Sequence, residues 1–174
     1  MIKRLLKSGV VMKFKIIKAK VKDCELVYQL TKDIFADYNR CLPASININP
    51  ALEEDKADVL SDIVENNVLL AYYNNEPVGS VRYSLLEDGI YLLSRLGVLA
   101  DYRGLKIGSQ LVKRVEKEVS KKNGQGILLY SAKSAKRVLS FYDKLGYEII
   151  DVDEKQEYEK AILYKELKKT KGEY

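Results

Sequence analysis

From Leu99 to Ser109 the chain reads Leu-Ala-Asp-Tyr-Arg-Gly-Leu-Lys-Ile-Gly-Ser. Two glycines and two cations there lie beside the start of an apolar series at helical spacing: Ile107, Leu111, Val115 and Val119, with Val112 alongside. A helix starting at this point directs unpaired backbone N–H groups and a positive dipole end at whatever lies in front of it. That is a site for an anion, a phosphate above all. The same residues also suit an ordinary strand-to-helix connection with solvated charges, and a short glycine motif alone does not decide between the two. The chain contains no histidine. Ser-His-Asp and Cys-His nucleophilic schemes are therefore excluded, and any proton transfer must use a carboxylate, a tyrosine, a lysine, a thiol or water.

The length of 174 residues suffices for one domain with a substantial core. Hydrophobic residues make up 47% and charged ones 32%, as in a globular chain, and no apolar run approaches the ~20 residues that span a bilayer. The basic start (Lys3, Arg4, Lys7) lacks a signal-peptide core and cleavage pattern, so a cytoplasmic location is expected. Cys24 and Cys41 lack metal-ligand partners and are expected as reduced thiols, with no metal bound. The net charge of +5 is concentrated in residues 1–20 and between Lys106 and Lys122. Such a face attracts a polyanionic small molecule; without interleaved aromatics it does not suggest nucleic acid.

These residues need elements to position them. Phe14 to Lys20 reads as a strand, and Asp23 caps a helix carrying Leu26, Val27, Leu30, Ile34 and Tyr38 on one stripe. After an irregular Arg40–Asn49 stretch, Asn49-Pro50 starts a second helix, with Glu53, Glu54 and Asp55 near its positive end and Leu52, Val59, Leu60 and Ile63 apolar. Strands over 68–73, 78–86 and 90–99, joined by Asn74–Pro77 and Glu87–Gly89 turns, make an antiparallel meander. The central helix ends at Asn123-Gly124, and Ile127–Ser131 returns parallel to the 90–99 strand. A helix over 134–145 and strands over 147–152 and 158–167 complete the order β-α-α-β-β-β-α-β-α-β-β. The expected fold is α/β (α+β): a mixed, mostly antiparallel sheet of about seven strands flanked by four helices. One domain is expected over 13–167, with 1–12 an N-terminal extension and 168–174 a C-terminal tail.

This order of elements resembles the Gcn5-related N-acetyltransferase (GNAT) fold, and the central stretch resembles its acetyl-CoA motif, Q/R-x-x-G-x-G/A. Arg103 matches the first position and Gly108 the last; Arg95-Leu96-Gly97-Val98-Leu99 and Tyr102-Arg103-Gly104 are similar to the family's strand and loop. Downstream, Phe141-Tyr142-Asp143-Lys144-Leu145-Gly146-Tyr147 resembles its second signature. Two departures stand out. Lys106 occupies the interior glycine position of the first motif, and Ala135 stands where many members carry asparagine. A lysine forced to positive φ costs about 1–2 kcal/mol, so ordinary helical geometry is expected at Lys106.

The resemblance implies an acetyl-CoA-dependent N-acetyltransferase acting on a primary amine by direct attack on the thioester. Coenzyme contacts are expected from Val98, Leu99, Arg103, Gly104, Leu105, Lys106, Ile107, Gly108, Ser109 and Tyr142. The pantetheine arm would run beside the strand ending at Val98-Leu99, from which the Ile127 strand must splay. The Val98 backbone N–H would stabilise the oxyanion. Gly97 suits either a bulge that opens the strand or a close-packing position. Tyr142 is the expected general acid. Its pKa of about 10 lies only ~1.5 units above that of a departing thiolate, about 2 kcal/mol. Where some members place a glutamate the chain has Leu92-Leu93-Ser94; Ser94 can hold a water but cannot serve as the base. Glu65 and Glu87 read as surface charges. The partner is a small-molecule or peptide amine, slightly favoured as cationic by the acidic Asp151–Glu157 loop, and not a membrane; a homodimer is compatible. The alternative is a catalytically degenerate coenzyme A-binding domain, which Lys106, Ala135 and the missing glutamate favour.

Overall fold

The computed structural model describes residues 13–40, 49–154 and 158–168; the expected N-terminal extension, Cys41 and the rest of the 41–48 stretch, Glu157 and the end of the tail lie outside them. Among the described residues seven strands form one sheet: β1 (Phe14–Lys18), β2 (Asn67–Tyr73), β3 (Glu76–Glu87), β4 (Ile90–Val98), β5 (Gly126–Ala132), β6 (Glu148–Asp153) and β7 (Lys160–Glu166), in the order β1-β2-β3-β4-β5-β7-β6. Five α-helices, again among the described residues, accompany them: α1 (Cys24–Arg40), α2 (Pro50–Glu53), α3 (Lys56–Glu65), α4 (Ile107–Lys121) and α5 (Lys136–Asp143). The expected mixed, mostly antiparallel architecture is present, and β4 with β5 is the parallel pair.

The meander follows from its turns. Asn74 (φ 51°) with Asn75 (φ 69°), and Asp88 (φ 45°) with Gly89 (φ 79°), place both residues of each two-residue loop at positive φ. These are the turns whose twist matches paired strands. Strand β2 reads Val-Leu-Leu-Ala because both its faces are covered. Val68 and Leu70 pack with Val27, Leu30, Ile34, Val59 and Ile63 of α1 and α3. Leu69 and Ala71 join the cluster of Leu111, Val115 and Val119 from α4 and Tyr142 from α5. The sheet thus has an α1–α3 face and an α4–α5 face.

The second expected helix is two helices. Asn49 caps α2 and Pro50 opens it, as expected, with the Asn49 side chain accepting from the Ala51 N–H. Asp55, expected near that helix's positive end, instead caps α3. Its carboxylate accepts from Ala57 and Asp58 N–H, and the Asp58 carboxylate accepts from the Asp55 N–H. This reciprocal box satisfies donors that a continuous helix would have bonded elsewhere, so the chain restarts there. Asp151 and Asp153, expected in or at the edge of a loop, belong to β6.

Candidate active site

Strand β5 pairs with β4 only at Ile90–Gly126, Tyr91–Ile127 and Leu92–Leu128. Beyond Leu92 the strands part while β4 continues to Val98. The expected splaying is therefore present. On the other edge the Leu99 N–H donates to the Val78 carbonyl at 2.9 Å. Backbone groups alternate along a strand, so the Val98 N–H and C=O face the gap that β5 leaves.

A bulge sets this alternation. Ser80 pairs with Gly97 but Arg82 with Ser94, so one β3 residue, Val81, faces two on β4, Arg95 and Leu96. The residue in left-handed conformation is Arg95 (φ 52°), not Gly97. Gly97 is the close-packing position, since a Cβ there would collide with the Ile34 side chain of α1. Tyr91 and Leu93 lie on the α4–α5 face, and after the bulge Leu96 and Val98 pack there too. Ser94 consequently sits on the α1–α3 face, in register with Arg82. Glu65 and Glu87 are exposed.

From β4 the chain passes through a 3₁₀ turn, Ala100–Tyr102, anchored by the Tyr102 hydroxyl donating to Glu76 at 2.5 Å and by its ring against Tyr73. Gly104 (φ 84°) then leads to Lys106, which stands at φ 62°, ψ 14°. This overturns the expectation of helical geometry at Lys106. The entry turn needs a left-handed residue at this position, and lysine accepts the strain there in place of glycine. The first turn of α4 has no side-chain cap and no acid. The Ser109 hydroxyl donates to the Lys106 carbonyl at 2.8 Å, and the intrahelical ladder begins with Gln110 N–H. The amides of Ile107, Gly108 and Ser109 therefore open outward without intrahelical partners. A Cβ on Gly104 would meet nothing within 4 Å. Leu105 packs against the α4–α5 core, and the Ile107 side chain is buried in it.

The Arg103 side chain is not free for an anion at these amides. Its Nε–H donates to the Val98 carbonyl at 3.1 Å, and its guanidinium pairs with Asp37 of α1 at 2.7 Å. The expected phosphate ligand thus bridges α1 to the end of β4. The nearest acid to its guanidinium, on an element distant in sequence, took it.

The two sequence signatures meet in space. A Cβ built on Gly108 would touch the Phe141 ring at 3.5 Å and Val98 Cγ2 at 3.8 Å. Tyr142, next to Phe141, is 5% exposed and edge-on to Phe141 and Tyr147 at 5.0 and 5.4 Å. Burial first, then the nearby Tyr38, raise its pKa well above the ordinary tyrosine value. The 1.5-unit gap argued from solution values is therefore a minimum for the tyrosine side. A thiolate in the same low-polarity surroundings is raised as well. Helix α5 starts at Ala135 without a side-chain cap.

Sequence reasoning missed the charges behind the α1–α3 face. Arg82 is 2% exposed on central strand β3 and pairs with Asp62 at 2.7 Å and Glu54 at 2.9 Å. Glu54 also accepts from Arg95 Nε at 2.5 Å. The available signal was an arginine inside the run Val78–Tyr83, where a buried cation must find carboxylates. No group of metal-ligating side chains occurs among the described residues, and no helix among them is long and apolar enough to cross a membrane.

Comparison with known proteins agrees with this geometry. The family model described as acetyltransferase (GNAT) family matches residues 31–147. N-alpha-acetyltransferase 50 of Danio rerio is 35% identical over 109 residues, which cover 58% of this chain and 62% of that protein. PaiA N-acetyltransferase of Thermoplasma acidophilum, solved in complex with coenzyme A, matches with a TM-score of 0.78 at 22% identity, over 88% of this chain and 99% of that one. Naa50 of Arabidopsis thaliana, in complex with the bisubstrate analogue CoA-Ac-MVNAL, matches with a TM-score of 0.69 at 25% identity, over 87% and 97%.

Proposed function

The chain belongs to the GNAT family of acetyltransferases, and on that premise we propose that it moves an acetyl group from acetyl-CoA to a primary amine, which attacks the thioester directly. The observation that carries this reading is the parting of β4 from β5 after Leu92, with the Val98 backbone turned into the gap. The residues present fit the coenzyme. The uncapped first turn of α4 and the open space at Gly104 suit a pyrophosphate.

When bound, acetyl-CoA supplies the acyl group already activated as a thioester. The amides of Ile107, Gly108 and Ser109 hold the phosphates through backbone donors and the helix dipole. Gly104, Leu105 and Lys106 shape the entry turn, and the Lys106 ammonium adds positive charge beside it. The Val98 N–H is placed to donate to the oxygen that gains charge as the amine attacks. Tyr142 holds its phenolic proton at neutral pH and gives it to the departing sulfur. Ser94 is a candidate to hold a water on the opposite face, and an amine of low pKa delivers its proton to solvent. Arg103 reaches the coenzyme only by leaving Val98 and Asp37.

The acceptor is bounded by α1–α3 on one side and the β6–β7 end on the other. The Danio relative's name and the peptide moiety of the Arabidopsis complex make a peptide α-amino group the first acceptor to try, with a polyamine as the second. Thiol release from acetyl-CoA should be followed with the peptide Met-Val-Asn-Ala-Leu, with spermidine and with a lysine side-chain peptide. Amine-dependent release supports transfer. Thermal stabilisation by acetyl-CoA with no release across a broad amine panel favours a domain that binds the coenzyme without turnover.

A further inference from the structure

The bulge in β4 decides which backbone amide faces the gap. Without the extra residue, the side-chain phase of Tyr91 and Leu93 would continue through residues 95, 97 and 99. A one-residue shift reverses every later group. The observed phase is the opposite: Leu96 and Val98 pack on the α4–α5 face, while Gly97 backs onto Ile34 and Leu99 packs with the α1–α3 cluster. Holding the bulge requires Arg95 at φ 52°, a conformation unfavourable for a residue with a side chain. Something must offset that strain.

The offset is visible in the Arg95 side chain. Its Nε–H donates to Glu54 Oε1 at 2.5 Å, and the other oxygen of that carboxylate lies 2.9 Å from Arg82, which is itself 2% exposed and held by Asp62 and Thr31. Glu54 is 12% exposed at the end of α2. That end is fixed in turn by the Lys32 ammonium, which donates to the Leu52 and Glu54 carbonyls at 2.5 and 2.6 Å. A carboxylate anchored on three elements thus grips the one strained residue of the bulge.

We infer that Glu54 and Arg95 are positioning residues: their ion pair holds the β4 bulge and so selects Val98 as the amide presented to the thioester. The inference rests on the acetyl-CoA reading for its chemical meaning, whereas the bulge itself can be tested without coenzyme. Removing the grip while leaving the strain, by Arg95→Ala or Glu54→Gln, releases the bulge. Removing both, by Arg95→Gly, leaves it in place, because glycine adopts positive φ freely.

The experiment is amide-resolved NMR on the full chain and the three variants. In coenzyme-free spectra, cross-strand contacts between Ser80 and Gly97 and between Gly79 and Val98 report the register. They should persist in the wild type and Arg95→Gly and weaken about twofold or more in Arg95→Ala and Glu54→Gln. Acetyl-CoA should then shift the Val98 amide strongly in the first pair and about half as much or less in the second. The Ile107–Ser109 amides should respond alike in all four. Unchanged cross-strand contacts in Arg95→Ala and Glu54→Gln would overturn the inference, as would loss of them in Arg95→Gly. A wild type in which no amide responds to acetyl-CoA would instead overturn the coenzyme reading, and the coenzyme-free contacts would still judge the bulge.

Discussion

The two faces of the sheet solve different problems with different chemistry. On the α4–α5 face, Leu111, Val112, Val115 and Val119 pack an apolar helix against Leu69, Val81 and Leu93, and the polar work is left to backbone amides at the start of α4. On the α1–α3 face, a buried arginine, two carboxylates and a half-buried arginine are drawn into the interior beside Val27, Ile34 and Leu70. The first face holds its site by a helix end that any apolar stripe can position. The second holds a strained strand by charges that must all be present together. Tolerance to substitution should differ accordingly.

The largest expected effect tests that difference. Arg82→Ala leaves Asp62 without its cation and Glu54 with Arg95 alone, beside a cavity, and should cost about 3–5 kcal/mol of stability in urea unfolding. Leu111→Ala, at an equally buried apolar position, should cost about 2–5 kcal/mol, set by the cavity it leaves. The distinction sharpens if Asp62→Asn with Glu54→Gln added rescues part of the Arg82→Ala loss. It breaks if these changes add independently, as distant sites do.

Next in size is the proposed proton donor on the apolar face. Tyr142→Phe should lower kcat by about 10²–10⁴, the usual worth of a positioned acid, with stability little changed because the ring keeps its edge-on contacts with Phe141 and Tyr147. Wild-type-like turnover by that variant across pH 6–9 would remove the acid role. Burial raises the pKa of both Tyr142 and Tyr147 in the fold. Unfolded tyrosine ionises near about 10. The unfolded chain therefore binds fewer protons once pH passes that value. Stability should be fully retained below it and fall as pH rises above it, and the limb of the rate profile that depends on the acid should stay flat through about pH 9.

The smallest effect concerns the two left-handed residues of the site that carry a side chain, one on each side of the comparison. Lys106 bears its strain without a side-chain cap, whereas Arg95 is gripped by Glu54. Lys106→Gly should therefore stabilise the fold by about 0.5–1 kcal/mol, the strain removed less the added freedom of the unfolded chain. Arg95→Gly should gain less, because the ion pair goes with it. Equal gains at the two positions, measured by thermal unfolding, would mean that the grip contributes nothing.

The same contrast explains what the sequence made legible. The meander was readable because Asn74-Asn75 and Asp88-Gly89 are local signals, and α4 because its stripe repeats every three or four residues. The meeting of Gly108 with Phe141 was readable as two signatures. The β4 bulge was not. One extra residue is invisible inside Leu92–Leu99, and the residue that holds it, Glu54, lies 41 positions away from Arg95. Lys106 was misjudged for a related reason: its local cost was counted, while the turn from Gly104 into α4 that demands left-handed geometry is set by the surrounding fold. Arg103 was assigned to the nearest anion site in sequence, and Asp37 on another element holds it.

The central claim is that the open amides at the start of α4 are the anchor for the coenzyme phosphates, and Gly108→Asp tests it most directly. The new side chain has room, since a Cβ there makes only ordinary contacts with Phe141 and Val98. A carboxylate in the first turn interacts favourably with the helix dipole and replaces glycine in a helix, so the variant should be as stable as the wild type or more so. The same charge stands within the first turn, beside the amides proposed to meet the phosphates. Calorimetric titration with acetyl-CoA should show binding by the wild type and a loss of about 100-fold or more in the variant, roughly 3 kcal/mol. A stable Gly108→Asp protein that binds acetyl-CoA as the wild type does would contradict the account.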